Sequence, residues 1–163
     1  MAKNKEEKTN VMRVLEQKKI AYTAHTYPHE EGMAVDGVTV AKSMGFDPAI
    51  VFKTLVARGA SKQYYVFDVP VAENLDLKKA AKAVGEKSIE MIPQKELLPL
   101  TGYVHGGCSP VGMKKLFPTV FHETAENLET MIVSAGKIGY QVELAPHDLA
   151  ALVRAKFADI IVE

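Results

Sequence analysis

An α+β domain built around a mixed, curled sheet is the fold class that this chain of 163 residues predicts. Three observations lead there. Strand patterns arrive in hairpin-spaced pairs, helical patterns fall between those pairs, and the length suits one domain of roughly 100 to 200 residues. With 47% hydrophobic and 25% charged residues the composition is that of an ordinary globular protein. The lone cysteine, Cys108, excludes an internal disulfide and a cysteine-rich zinc site. No apolar run approaches the roughly 18 residues of a membrane span, and Met1 to Asn10 is a charged head rather than a signal sequence, so a soluble cytoplasmic protein is expected. We divide it into a flexible segment at 1–8 and a folded domain at 9–163.

The elements follow in order. Val11, Val14 and Leu15 have helical spacing behind a Thr9 or Asn10 cap, predicting a helix to about Lys19. Alternation from Tyr22 to Tyr27 reads as a strand that Pro28 ends. Asp36 caps a short helix through Val40 and Ala41, and Gly45 supplies its left-handed stop. Asp47-Pro48 opens a turn. Ile50 to Arg58 and Gln63 to Val69 read as a hairpin joined by Gly59 to Lys62. Leu75 to Val84 is helical, capped by Asn74 or Asp76, stopped by Gly85, with Lys78, Lys79 and Lys82 on its outer face. Ser88 to Ile92 is a short strand, Pro93 to Leu98 a helical turn, and Gly102 to Gly112 a glycine-rich loop. Strands at 119–122, 130–134 and 140–144 come next. Pro146 starts a helix to about Ala155, and Asp159 to Val162 closes the chain as a strand.

Twenty basic and twenty acidic residues give zero net charge, which argues against a protein that coats nucleic acid by bulk electrostatics. The distribution is uneven. Residues 53–115 hold 10 basic and 6 acidic groups, a net +4, whereas residues 116–163 hold 3 and 7, a net −4. Such a basic stretch is either a solvated face or a binding surface.

Several catalytic patterns are tested and fail. Cys108 lies three residues after His105 in the glycine loop, but no thiol-enzyme signature surrounds it. Gly107 to Gly112 has the Gly-x4-Gly spacing of a phosphate loop, yet Met113-Lys114-Lys115 stands where Lys followed by Ser or Thr is required. His25, His29, His105, His122 and His147 show no metal-ligand spacing and read as surface or capping histidines. Ser109 or Ser134 with His147 and Asp148 lacks a nucleophile elbow. Lys53 is different, because it interrupts the apolar strand Ile50 to Val56. Facing inward, its ammonium needs an anionic partner such as a ligand phosphate; facing outward, it is an ordinary surface lysine.

Taken together, the segments resemble the YbaK family of aminoacyl-tRNA deacylases, free-standing relatives of the editing domain of bacterial prolyl-tRNA synthetase. The resemblance rests on His25-Thr26-Tyr27, Val51-Phe52-Lys53-Thr54-Leu55, Leu75-Asp76-Leu77-Lys78-Lys79-Ala80-Ala81-Lys82, Thr101-Gly102-Tyr103, Gly106-Gly107-Cys108-Ser109-Pro110-Val111-Gly112 with Lys114-Lys115, Val133-Ser134-Ala135-Gly136-Lys137 and Glu143-Leu144-Ala145-Pro146. They occur in the family's order over roughly residues 10 to 162. The branch acting on Cys-tRNA(Pro) is the one most resembled.

The resemblance implies a mostly antiparallel sheet curled into a barrel-like core with flanking helices. It implies that Lys53 holds the phosphate of the terminal adenosine and that backbone N–H groups from Gly106 through Gly107 to Cys108 stabilise the developing oxyanion. Tyr27, Phe52 and Thr54 would bound the substrate pocket, Cys108, Ser109 and Pro110 complete its loop, and Ser134 and Gly136 form a turn beside the terminal nucleotide. No cofactor or metal is implied, and neither a membrane nor DNA is a partner. The partners would be the 3′ end of an aminoacyl-tRNA and prolyl-tRNA synthetase. In that branch the substrate's own cysteine thiol attacks its ester, so no protein nucleophile is expected. The family does not require cysteine at position 108, and Ala135 replaces a frequent glycine. Two other readings stay open: a non-catalytic module that binds a tRNA end or a synthetase, and a deacylase of different preference such as Ala-tRNA(Pro).

Overall fold

Local rules set most of the element ends. A computed structural model describes residues 8–30 and 33–163, so all but Lys8 of the expected flexible segment lies outside the described residues. Helix α1, Asn10–Gln17, starts where the Thr9 hydroxyl accepts from the Met12 amide at 3.2 Å, and it buries Val11, Met12 and Leu15. After β1, Thr23–Thr26, helix α2 spans Gly37–Ser43 under an Asp36 cap and stops before Gly45, which has φ +77°. The hairpin is β2, Phe52–Gly59, and β3, Tyr64–Pro70. Its turn places Lys62 rather than a glycine at positive φ. Helix α3, Leu77–Val84, begins at Asp76, whose carboxylate accepts from the Lys78 and Lys79 amides, and ends at left-handed Gly85. Then come β4 (Ile89–Met91), α4 (Leu97–Thr101), β5 (Thr119–His122), β6 (Met131–Ser134), β7 (Tyr140–Leu144), α5 (Pro146–Val153) and β8 (Lys156–Ala158).

The strands form two sheets, where the sequence predicted one mixed sheet. A three-stranded antiparallel sheet has the order β1-β7-β6, and a five-stranded sheet the order β4-β2-β3-β5-β8. Within the larger sheet the β3–β5 and β5–β8 pairs are parallel and the others antiparallel, so the mixed, mostly antiparallel α+β character holds. A single Val51–Ile132 bridge joins the two sheets, and no closed ring of strands forms among the described residues. The final strand also differs. It lies at Lys156–Ala158 rather than 159–162, because pairing with β5 fixes it, while Ile160 is fully buried and Ile161 bridges to Leu75.

Both faces of β2 and β3 are covered, which explains their nearly continuous apolar sequence. Phe52, Val56 and Val66 pack with α1, α5 and the smaller sheet; Ala57, Phe67 and Val69 pack with Ala80 and Ala81 of α3. β4 reaches only Ala57 to Gly59 of β2, so among the described residues the edge from Lys53 to Leu55 pairs with no further strand on that side. The sheets meet at Val51, and beside that bridge residues of both leave a gap between them.

Candidate active site

A cavity of about 400 Å³ fills this gap, within the range of small-molecule sites, about 300–1,000 Å³. One wall is the free edge of β2, with Phe52, Lys53 and Thr54. Opposite lie Ser134 at the end of β6 and Gln141 of β7, which are cross-strand partners. Asp36 and Gly37 at the start of α2 bound a third side, and His105, Gly106 and Cys108 of the glycine loop a fourth. Tyr27 also lines it, its amide donating to the Gly139 carbonyl at 2.9 Å.

Of the eleven residues predicted for the site, the cavity lining contains Tyr27, Phe52, Lys53, Thr54, Gly106, Cys108 and Ser134. Gly107, Ser109, Pro110 and Gly136 stand behind it. The Gly107 amide donates to the Val104 carbonyl at 2.9 Å, which corrects its expected place as an oxyanion donor: that hydrogen is already used. A Cβ on Gly107 would lie 3.0 Å from the Ile138 nitrogen, so this glycine lets the loop press on the turn after β6. Ser109 is fully buried, and its hydroxyl accepts from the Val111 amide at 3.3 Å. Pro110 is buried beside it, and Gly136 packs under the Tyr103 ring. Tyr103 in turn donates its hydroxyl to the Val111 carbonyl, pinning the loop across its base.

The groups that reach the cavity have spare hydrogen-bonding capacity. Among the described residues, the amides of Gly106 and Cys108 donate to nothing. The Ser134 hydroxyl accepts from the Gly136 amide at 3.1 Å, leaving its own hydrogen to offer. Lys53 is partly buried and makes no hydrogen bond or ion pair among the described residues. Burial holds its ammonium below the ordinary lysine range, and the fields of Asp36 and Glu73 oppose that only in part. The inward alternative for Lys53 is therefore the observed one, since the residue lines the cavity.

Cys108 has the opposite character. Its thiol is buried and pushed up to about 12 by desolvation, with the Asp68 charge adding to the effect, so it is neutral at working pH. His105 lines the same cavity, but no hydrogen bond joins the two. The histidines also depart from the surface reading at one point: His122 is buried and accepts the Ile160 amide at 3.3 Å. His25 pairs with Glu143 at 2.8 Å.

Two polar residues were missed from sequence. Gln141 is 7% exposed with its Oε1 unpaired. Asp68 is fully buried, bonded through one oxygen to Thr54 and through the other to nothing. Its signal was the same as that of Lys53, a charge within the apolar run Val66 to Val69.

Comparison with known proteins agrees with this architecture. The model of the family described as "Aminoacyl-tRNA editing domain" matches residues 29–152. A protein of Enterococcus faecalis named "Putative Cys-tRNA(Pro)/Cys-tRNA(Cys) deacylase EbsC" is 45% identical over 161 residues, covering 98% of each chain. A crystal structure described as "a putative trans-editing enzyme for prolyl tRNA synthetase" superposes with a TM-score of 0.79 at 25% identity, over 94% of this chain and 95% of that one. The hypothetical protein APE2540, 18% identical, shares the fold with a TM-score of 0.82 over 93% of this chain and 99% of its own. The family match spans most of the chain and the 45% identity nearly all of it; the chain belongs to the aminoacyl-tRNA editing domain family.

Proposed function

We propose that the chain clears mischarged tRNA in trans, hydrolysing the ester of Cys-tRNA(Pro). The observation that carries this reading is Lys53, an ammonium without an ion pair among the described residues, set beside a cavity that also offers the free amides of Gly106 and Cys108. An aminoacyl ester is already activated, so positioning and oxyanion donors supply what its cleavage needs. In this reading Lys53 holds the terminal phosphate, the Gly106 and Cys108 amides receive the oxyanion, and the Ser134 hydroxyl donates to the terminal nucleotide. Tyr27 and Phe52 bound the space for the side chain. The neutral Cys108 thiol is no nucleophile, and the substrate's own thiol attacks its carbonyl to leave a cyclic thioester that water opens. The name of the Enterococcus relative supports cysteine as the amino acid. Prolyl-tRNA synthetase is the natural partner, because the cavity takes one aminoacyl end and not a tRNA body, and the work belongs in the cytoplasm, where charged tRNA is found.

The test follows the decay of Cys-tRNA(Pro) and Ala-tRNA(Pro) with and without prolyl-tRNA synthetase. Wild type is expected to speed loss of the cysteinyl ester, and Lys53→Ala to lose at least about tenfold in kcat/KM, the equivalent of about 1.4 kcal/mol. Undiminished activity in the variant would remove the anchoring role. Binding without turnover by the wild type would replace the deacylase by a binding module.

A further inference from the structure

The Thr54 hydroxyl, on the cavity wall, donates to Asp68 Oδ1 at 2.5 Å, a cross-strand contact set by the Thr54–Asp68 register of β2 and β3. Asp68 is fully buried, and its Oδ2 has no partner. A buried carboxyl with an unpaired oxygen is costly, and such a group calls for an explanation. Among the described residues no cation compensates it: Lys53 feels the fields of Asp36 and Glu73 but not that of Asp68. The titratable side chain that senses Asp68 from the facing loop is the neutral thiol of Cys108, and Thr101 beside that thiol carries no charge.

We propose that Asp68 is a positioning residue for the deacylation, holding the Thr54 hydroxyl so that its oxygen faces the cavity as the acceptor for the thiol of a bound cysteinyl ester. The proposal rests on the deacylase reading and deepens it. With Asp68 ionised, the Thr54 hydrogen is committed to Oδ1 and its lone pairs are left for the substrate. As the substrate sulfur bonds to the ester carbonyl carbon, its proton passes to Thr54 Oγ1 while the Thr54 proton passes to Asp68. When the bond from that carbon to the ribose 3′ oxygen breaks, both transfers reverse and the leaving oxygen is protonated. The products are the cyclic thioester and a free 3′-hydroxyl, with no net proton or electron exchanged. Burial raises the Asp68 carboxyl to about 7, where such a group can both take and return a proton near neutral pH.

Single-turnover decay of Cys-tRNA(Pro) across pH 5.5 to 8.5 tests this in wild type, Asp68→Asn, Thr54→Val and Thr54→Ser. Wild type is expected to gain rate with a midpoint near 7 from Asp68, whereas the step of the substrate thiol is common to all four proteins. Asp68→Asn and Thr54→Val lose the Asp68 step and at least about tenfold in the saturating single-turnover rate constant, with the half-saturating enzyme concentration nearly unchanged, whereas Thr54→Ser retains both. A wild-type pH profile in folded Asp68→Asn overturns the proposal and leaves the deacylase intact. Should Asp68→Asn fail to fold, a wild-type rate and profile in Thr54→Val overturns it equally. No decay by the wild type above the uncatalysed rate overturns the deacylase reading and this proposal together.

Discussion

Lys53 and Asp68 interrupt the two strands of one hairpin in the same manner, and their environments separate them. Lys53 sits at the end of β2 that β4 does not reach and lines the cavity; Asp68 sits one strand further in, with β5 closing its far side. Sequence alternation made Lys53 conspicuous but could not say which face was buried, because both are. It could not place Asp68 behind Thr54, since that contact depends on the register of the hairpin. The buried carboxyl has a consequence for stability. Its pKa rises from 3.8 to about 7 on folding, so between those values the folded chain binds a proton that the unfolded chain has released. Stability is then lost as pH rises through this window and is level above it. The stability difference between Asp68→Asn and wild type, followed by urea denaturation, should move in favour of the variant by on the order of 4 kcal/mol between pH 4 and pH 8. Any constant offset from the new amide leaves that change untouched. Parallel pH curves for the two proteins would mean that Asp68 titrates normally in the fold.

At the level of elements, helix caps were the most legible feature. Asp36, Asp76 and Pro146 start their helices, and Gly45 and Gly85 stop theirs, because these residues act through their own backbone or the next three amides. β8 was displaced in the sequence reading because Lys156 to Ala158 has no apolar run; pairing with β5 makes it a strand. The glycine loop was recognised, but not the division of labour within it. Gly106 and Cys108 turn toward the cavity, while Gly107 turns to Lys137 and Ile138 and spends its amide on Val104. Gly107→Ala should therefore push the loop off the turn after β6 and misplace the two free amides. We expect about a tenfold fall in kcat with a stability loss of about 1–3 kcal/mol from overpacking. Gly45→Ala is the control. Its Cβ meets nothing within 4 Å, so its left-handed φ should cost about 1 kcal/mol with kcat unchanged. Equal kcat in the two variants would show that loop position does not set the rate.

For the whole molecule, the balance of 20 basic and 20 acidic residues limits how nucleic acid is held. The +4 middle segment is less available than its sequence suggests. Lys79 is engaged by Asp159 at 3.0 Å and the Ile161 carbonyl at 2.9 Å, and Lys114 donates to the Pro99 carbonyl at 3.2 Å. Lys78 and Lys82 stay exposed on α3, and Lys115 lies over the Phe117 ring at 5.9 Å. Lys62, Lys87 and Lys95 are exposed as well, but Lys53 is the one lysine or arginine in the cavity lining, and the chain carries an acidic residue for every basic one. Each phosphate neutralised on a single strand contributes about −0.7 to the slope of log affinity against log salt. An anchor at Lys53 helped by one or two exposed lysines predicts a slope of about −1.4 to −2.1 for the chain alone, measured by competition with uncharged tRNA(Pro) between 50 and 300 mM salt. Lys53→Ala should flatten it by about 0.7, the share of one phosphate. A slope steeper than about −4 would mean a broad grip on the tRNA body, and an unchanged slope in the variant would place the terminal phosphate elsewhere.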